Sequence, residues 1–241
     1  MEGFIDIHSH ILPQLDDGSS SMEQTLRMLK IAYDDGIRTM IATPHAHDGR
    51  GACDKEVMEQ KLKDVKEAIK DTYPGMKLYL GSEIYYSHDS IKKLNDKKYP
   101  AMADTKYVLV EFSPMAEFRY IKNGLQEFIL DGFNPIVAHV ERYYYVVKDL
   151  ERVDELIQMG ACIQVNAASI TGEFGKEYQG ITKKLIKNNF IHFLSTDAHS
   201  DGNRAPRLKK CVDYLTKKYG EEYISEILIH NAEKLLLNQY I

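Results

Sequence analysis

Ile5-Asp6-Ile7-His8-Ser9-His10 alternates apolar and polar side chains near the start of a 241-residue chain. In an extended strand, residues two apart point the same way. His8 and His10 therefore project side by side with Asp6 before them, while Ile5 and Ile7 face the other way. Two imidazoles held in parallel are placed to grip one metal ion. A strand with one solvated polar face would read identically, so the pair gains meaning only from the rest of the chain.

Beyond this strand the chain keeps a strand–helix rhythm. Ser21, with Gln24 three residues on, has the form of a capping box, and Met22, Leu26, Leu29 and Tyr33 recur at helical spacing before Gly36. Strands are expected at 39–42, 77–80, 107–110, 136–138, 162–165 and 190–194. Helices are expected at about 55–72, 121–130, 150–159, 181–187, 206–219 and 222–237. The helix at 55–72 would use Val57, Met58, Leu62, Val65 and Ile69. Seven apolar strands alternating with helices imply an α/β fold with a parallel sheet. A doubly wound open sheet favours a glycine-rich phosphate loop after an early strand, and none follows strand one. A closed or distorted (β/α) barrel fits better, as a single domain over 1–241.

Composition narrows the function classes. Apolar content of 44% and charged content of 28% are those of an ordinary globular protein. A net charge of -5 argues against nucleic-acid binding through bulk charge. No apolar run reaches the ~20 residues that span a bilayer, and Met1-Glu2-Gly3-Phe4 lacks the form of a secretion signal. Cys53, Cys162 and Cys211 suggest no disulfide framework. The expectation is a cytoplasmic protein without nucleic acid or membrane insertion.

Ionisable residues gather at one recurrent place. His45, Glu83, Glu111, His139, Asp197 and His199 each lie at or just beyond the C-terminal end of an expected strand, and Asp17 lies in the loop after the first. Those ends converge on one face of a (β/α) barrel, where active sites form. With His8 and His10 they give five imidazoles and four carboxylates, a nitrogen–oxygen donor set suited to Mn, Fe or Zn. That exceeds what one catalytic zinc takes and would suit two or three ions. Singly, each residue has a structural reading: Asp16-Asp17-Gly18 as a turn, Glu83 and Glu111 as solvated strand ends, His139 as a core histidine, Asp197-Ala198-His199 as a cap. Their shared placement favours the joint reading. His47, His88, His192 and His230 lack that placement.

Arg142 and Arg204 come shortly after His139 and His199, and guanidinium forks bind phosphate oxygens bidentately. Arg50, in Gly49-Arg50-Gly51, is a weaker third candidate. Tyr143, Tyr144 and Tyr145 read as packing for the adjoining helix. The residues six places after Cys53, Cys162 and Cys211 are Glu59, Ala168 and Lys217, so the Cys-(x)5-Arg loop of a phosphocysteine mechanism is missing.

Asp6-Ile7-His8-Ser9-His10, Asp16-Asp17-Gly18, Ala42-Thr43-Pro44-His45, Glu111-Phe112, Ala138-His139-Val140-Glu141-Arg142-Tyr143 and Ser195-Thr196-Asp197-Ala198-His199 resemble, in order, the bacterial metal-dependent tyrosine phosphatases of the polymerase and histidinol phosphatase (PHP) superfamily, CpsB/CapC group. The resemblance runs from about Phe4 to Leu237. It implies a distorted seven-stranded (β/α) barrel with a trinuclear site. His8, His10, Glu83 and Asp197 would hold one metal; Glu83, Glu111 and His139 a second; Asp17, His45 and His199 the third. Arg142 and Arg204 match its phosphate-binding arginines. Manganese is the implied ion, with Fe, Zn or Mg as substitutes. Phosphotyrosine hydrolysis by a metal-bridging hydroxide is the implied reaction, on a tyrosine autokinase of capsule and exopolysaccharide export. A homo-oligomer is compatible with it. Thr196 stands where the pattern favours a smaller residue, and Asp6 reads as a support for the two histidines. Rival readings are a PHP phosphatase of a small metabolite such as histidinol phosphate, an amidohydrolase or nuclease on the same ligand set, and a barrel that kept its metals and lost catalysis.

Overall fold

Both faces of the opening strand are buried, Asp6, His8 and His10 as fully as Ile5 and Ile7. The computed structural model describes residues 3–47 and 54–241. Its strands are β1 (Phe4–Ser9), β2 (Ile37–Ala42), β3 (His45–Ala46), β4 (Lys77–Leu80), β5 (Glu83–Tyr85), β6 (Tyr107–Glu111), β7 (Asn134–Val137), β8 (Cys162–Asn166) and β9 (Phe193–Ser195). They form two sheets, β1-β2-β4 and β3-β5-β6-β7-β8-β9, and every pairing is parallel. Beyond β9 the chain returns to β1: the His10 amide donates to the Ala198 carbonyl (2.8 Å) and the Asp197 amide to the His8 carbonyl (2.9 Å). The sheets thus curl toward a barrel.

Nine strand segments stand where the alternation of the sequence predicts seven continuous strands. The difference arises at Thr43-Pro44 and Gly81-Ser82, which interrupt two strands before each resumes. Proline has no N–H for a ladder, yet the Pro44 carbonyl still accepts the Glu83 amide (3.1 Å). The chain therefore resumes pairing as β3, the edge of the second sheet, with His45 opposite Glu83. His45 lies in a strand rather than past the end of one.

Adjacent strand residues separate into two cores. Met40, Val108, Val110, Val137, Ile163 and Leu194 join the larger cluster with the helices. Ile41, Tyr107, Leu109, Ile136, Cys162 and Phe193 join a smaller one with Ala232 and Leu235 of the C-terminal helix. Glu111 continues the Tyr107–Leu109 face of β6, and Gln164 and Asn166 continue the Cys162 face of β8. These strand faces are thus apolar toward their starts and polar toward their C-terminal ends.

The helices Met22–Asp34, Lys55–Ile69, Phe118–Leu130, Leu150–Gln158, Lys176–Lys187 and Lys209–Tyr219 keep the expected rhythm. Three details differ. The first helix buries Thr25, Met28, Leu29 and Ala32, so of the expected Met22, Leu26, Leu29 and Tyr33 only Leu29 is fully buried, and Val57 is exposed. The last helical segment, 221–236, is divided by a π turn at Glu226–His230. Among the described residues, no helix is long and apolar enough to cross a membrane.

Candidate metal centre

β1 contributes His8, and His10 comes just past its end; β3 contributes His45, β5 Glu83 and β6 Glu111. His139 and Asp197 come after β7 and β9 with φ of 32° and 53°. A non-glycine residue in that left-handed region costs on the order of 1–3 kcal/mol and persists where the surroundings enforce it. Both positions turn a strand end abruptly, and both side chains are buried in the cluster.

The outer partners of the histidines set their tautomers. His10 Nδ1 meets Asp16 Oδ2 at 2.7 Å, and His199 Nδ1 meets the Asp197 carbonyl at 2.9 Å. Both partners can only accept, so both Nδ1 atoms carry the proton. His8 Nδ1 faces Gln164 Oε1 at 3.3 Å, and His139 Nδ1 faces the Tyr143 hydroxyl at 3.5 Å. In the neutral rings of His8, His10 and His199, Nε2 is then a lone pair directed inward.

Inward, the donor atoms crowd. Glu83 lies at the centre: Oε1 is 2.8 Å from His139 Nε2 and 3.4 Å from His8 Nε2, while Oε2 is 3.1 Å from His45 Nδ1 and 3.3 Å from His10 Nε2. Asp197 Oδ1 lies 3.5 Å from His8 Nε2 and 3.6 Å from His10 Nε2. Asp17 Oδ1 is 3.3 Å from both His45 Nε2 and His199 Nε2. Glu111 Oε1 is 3.5 Å from His139 Nε2. Candidate ligand atoms of His10, Asp17, His45 and His199 fall within 4.8 Å of one another, as do those of His8, His10 and Asp197, and those of His45, Glu83 and Glu111.

The donor set fits divalent cations. Ligand atoms about 2.1 Å from one ion lie roughly 3.0–3.4 Å apart, and most of these separations are in or near that range. His8 Nε2 and His10 Nε2 are only 3.3 Å apart, too close for a proton on each, whereas one cation between them would accept both lone pairs. Nothing hydrophobic separates the carboxylates, and unpaired buried charges of one sign are costly.

Electrostatics point the same way. Burial opposes ionisation of Glu83, but His8 and the hydrogen bonds from His10, His139 and His45 hold it well below the usual carboxylate range. Glu111 is pushed up to about 7 by burial and by the Glu83 charge. Burial disfavours the His10 cation, yet Asp16 and Glu83 raise that imidazole to about 10. The acids attract positive charge strongly, and protons or metal ions are the alternative sources.

Arg142 and Arg204 flank the cluster. The Arg142 Nη2 donates to Asp197 Oδ2 at 2.7 Å, and the Arg204 Nη2 forms an ion pair with the same oxygen at 2.9 Å. Arg204 also reaches the Asp197 carbonyl at 3.1 Å, and its Nε is buried without a partner among the described residues. The Arg142 guanidinium lies 5.8 Å from the Phe174 ring centroid. A cavity of about 1010 Å³, lined in part by Thr196, Arg204, Phe174 and Arg207, opens on the Arg204 side; neither Arg142 nor any of the nine ligand-type residues lines it.

Several functional neighbours are not evident from sequence. Asp16 stands beside the predicted ligand Asp17, yet it binds His10 and accepts the His45 amide at 3.0 Å; an Asx turn to the Gly18 amide (2.9 Å) orients it. Gln164 and Asn166 sit in a strand buried on both faces, and an uncharged amide at such a position is the one signal available. Asp6 does not touch the histidine rings. Its carboxylate holds the Thr196 amide (3.0 Å) and hydroxyl (2.5 Å), which gives Thr196 a use for its extra atoms. Burial raises the Asp6 carboxyl to about 6.

Tyr143 is buried, and its hydroxyl accepts the Phe112 amide at 3.1 Å. His192 Nδ1 accepts the Ile163 amide (3.1 Å), His88 and His230 face Glu127 and Glu226, and His47 packs on Tyr85. Arg50 and Cys53 lie outside the described residues. Burial pushes the Cys162 thiol up to about 12 and raises Cys211 as well, so neither is a thiolate nucleophile.

Comparisons with known proteins show the family and the fold. Residues 4–237 match the family model for capsular polysaccharide synthesis, CpsB/CapC. The tyrosine-protein phosphatase CpsB of Streptococcus pneumoniae is 33% identical over 242 residues, covering 98% of this chain and 100% of that protein. The tyrosine-protein phosphatase YwqE of Bacillus subtilis is 34% identical over 241 residues, covering 98% and 93%. A crystal structure from work on YwqE and CpsB, described as unique metal-dependent tyrosine phosphatases, matches with a TM-score of 0.91 at 32% identity, covering 98% of this chain and 96% of that one. The phosphotriesterase homology protein of Escherichia coli shares the fold alone, with a TM-score of 0.64 at 13% identity and coverage of 98% and 99%. The chain belongs to the CpsB/CapC family of capsular polysaccharide synthesis.

Proposed function

We propose that this protein is a manganese-dependent phosphatase of phosphotyrosyl proteins, and that its substrate is a tyrosine autokinase of polysaccharide export. The observation that carries the reading is the clustering of His8, His10, Asp17, His45, Glu83, Glu111, His139, Asp197 and His199 beside two arginines. The likeness to proteins named tyrosine-protein phosphatases supports the reaction class. His8, His10, Glu83 and Asp197 would hold one cation, Glu83, Glu111 and His139 another, and Asp17, His45 and His199 a third. Bound divalent cations supply Lewis acidity, activating a water and neutralising phosphoryl oxygens.

The chain's own groups do the rest. Arg142 spends one N–H on Asp197 Oδ2 and Arg204 one on the Asp197 carbonyl, leaving further guanidinium donors of both for equatorial phosphate oxygens. Such fixed donors act most strongly where charge develops in the transition state. Phenolate, with a parent pKa of about 10, leaves more readily than an alkoxide, so protonation of the leaving group matters less.

Turnover of a phosphotyrosyl peptide should exceed that of histidinol phosphate by at least about 10²-fold in kcat/KM, the scale of a hydrophobic recognition contact. The reverse preference would assign the protein to small-metabolite chemistry.

A further inference from the structure

Two buried amides link His8 and His139 at one end to Asp197 at the other. The backbone N–H of His139 can only donate, and it lies 2.6 Å from one end of the Gln164 side chain. That end is therefore the oxygen, Oε1, and the other is the nitrogen. The same oxygen faces His8 Nδ1 at 3.3 Å, so His8 carries its proton on Nδ1 and turns the Nε2 lone pair into the site. The Gln164 nitrogen donates to Asn166 Oδ1 at 2.8 Å. This fixes Asn166 in turn, and its Nδ2 donates to Asp197 Oδ2 at 2.8 Å. Asp197 Oδ1 is then the oxygen left to face His8 and His10.

We propose that Gln164 and Asn166 form a positioning relay that sets the tautomer of His8 at one end and the orientation of the Asp197 carboxylate at the other. One rigid strand, β8, carries both amides, and both are fully buried. The Asn166 backbone amide is itself anchored, donating at 3.0 Å to Glu141, a buried acid in the loop that carries Arg142. Neither side-chain amide is placed to hold a cation or phosphate. Their role is to present His8 and Asp197 as ligands with the correct atom inward, the kind of outer contact whose loss weakens metal affinity by about 10–100-fold.

The inference rests on the cluster binding divalent cations. It is tested by titrating Mn into wild type, Gln164→Met, Gln164→Glu and Asn166→Asp by calorimetry, and by ¹⁵N NMR of the histidine rings in the cation-free proteins. Glutamate retains the acceptor for His8 and His139, whereas methionine retains only the volume. The expected result is a 10–100-fold loss of Mn affinity in Gln164→Met, a smaller loss in Gln164→Glu, and conversion of the His8 ring from its Nδ1–H form only in the methionine variant. Asn166→Asp should lose affinity while His8 keeps its tautomer. Unchanged affinity and His8 tautomer in a folded Gln164→Met protein would overturn the relay. Should that variant not fold, Gln164→Glu and Asn166→Asp decide: both binding Mn as tightly as wild type overturns it. Wild type that binds no divalent cation would instead refute the metal reading beneath it.

Discussion

Glu83 offers each carboxylate oxygen to two imidazoles, from His8 and His139 on one side and His10 and His45 on the other. Among the described residues no other carboxylate of the cluster meets so many imidazoles; Asp197 meets three. Glu83→Gln replaces one oxygen by a group that can only donate, and at least one cation should be lost with it. A fall in kcat of about 10³-fold or more is expected, equivalent to several kcal/mol of lost electrostatic stabilisation. Metal content and turnover of the purified variant check this together. Glu111 adds to the pH dependence that His10, protonated in the cation-free site up to about pH 10, already imposes. With its carboxyl raised to about 7 by burial and Glu83, the cation-free site holds a proton there below pH 7 that a metal must displace. Mn affinity should therefore fall as pH drops from 8 to 6, with proton release on binding; equal affinity at both values would exclude that role. The ligand-type residues are legible in the sequence because each belongs to a residue class with a metal chemistry and recurs after a strand. Asp16, Gln164 and Asn166 are not. Their importance lies in which atom of a neighbour they touch, and that depends on chain segments far apart in sequence.

At the scale of elements, periodicity locates nearly every helix and strand, while turns and faces depart from it. Ser21 does cap its helix, accepting the Gln24 amide at 3.2 Å, but the reciprocal bond goes to Ser20 rather than Ser21. The Pro44 break is legible as an ending, yet the chain resumes pairing because a carbonyl suffices on that side. The loop 15–20 is held against His10, whose carbonyl accepts the Ser19 amide at 3.0 Å. A Cβ on Gly18 would lie 2.3 Å from that carbonyl oxygen and 2.5 Å from the His10 Cβ. Gly18→Ala must therefore displace the turn carrying Asp16 and Asp17, and should reduce cation binding along with stability. Gly180, inside the helix Lys176–Lys187, has open space around its position. Gly180→Ala should stabilise by up to about 1 kcal/mol through helix propensity and leave cation binding untouched. Thermal melts and Mn titrations of the pair separate the two effects.

The whole molecule gathers acids and imidazoles at the C-terminal ends of parallel strands, over strand faces that begin apolar. The α/β class with an all-parallel arrangement is legible from strand–helix alternation, because parallel strands require crossovers. The segmentation is not, since it depends on how two strands bend at Pro44 and Gly81. Burying so many ionisable groups makes stability depend on cations that bind only the folded chain. At 100 times its Kd, one cation adds about 2.7 kcal/mol, which for a protein of this size is roughly 5–10 °C in Tm. Removing metal with a chelator should lower Tm by that order, and a melt indifferent to cations would argue against a metal-organised site. Counting metal ions per chain while tracking phosphotyrosyl peptide hydrolysis through chelation, Mn restoration and thiol alkylation tests whether a multinuclear metal site does the chemistry. At least two ions are expected in the active protein, with loss of activity on chelation, recovery with Mn, and no effect of alkylation. Full activity with fewer than two ions, or activity that resists chelation and disappears on alkylation, would contradict it.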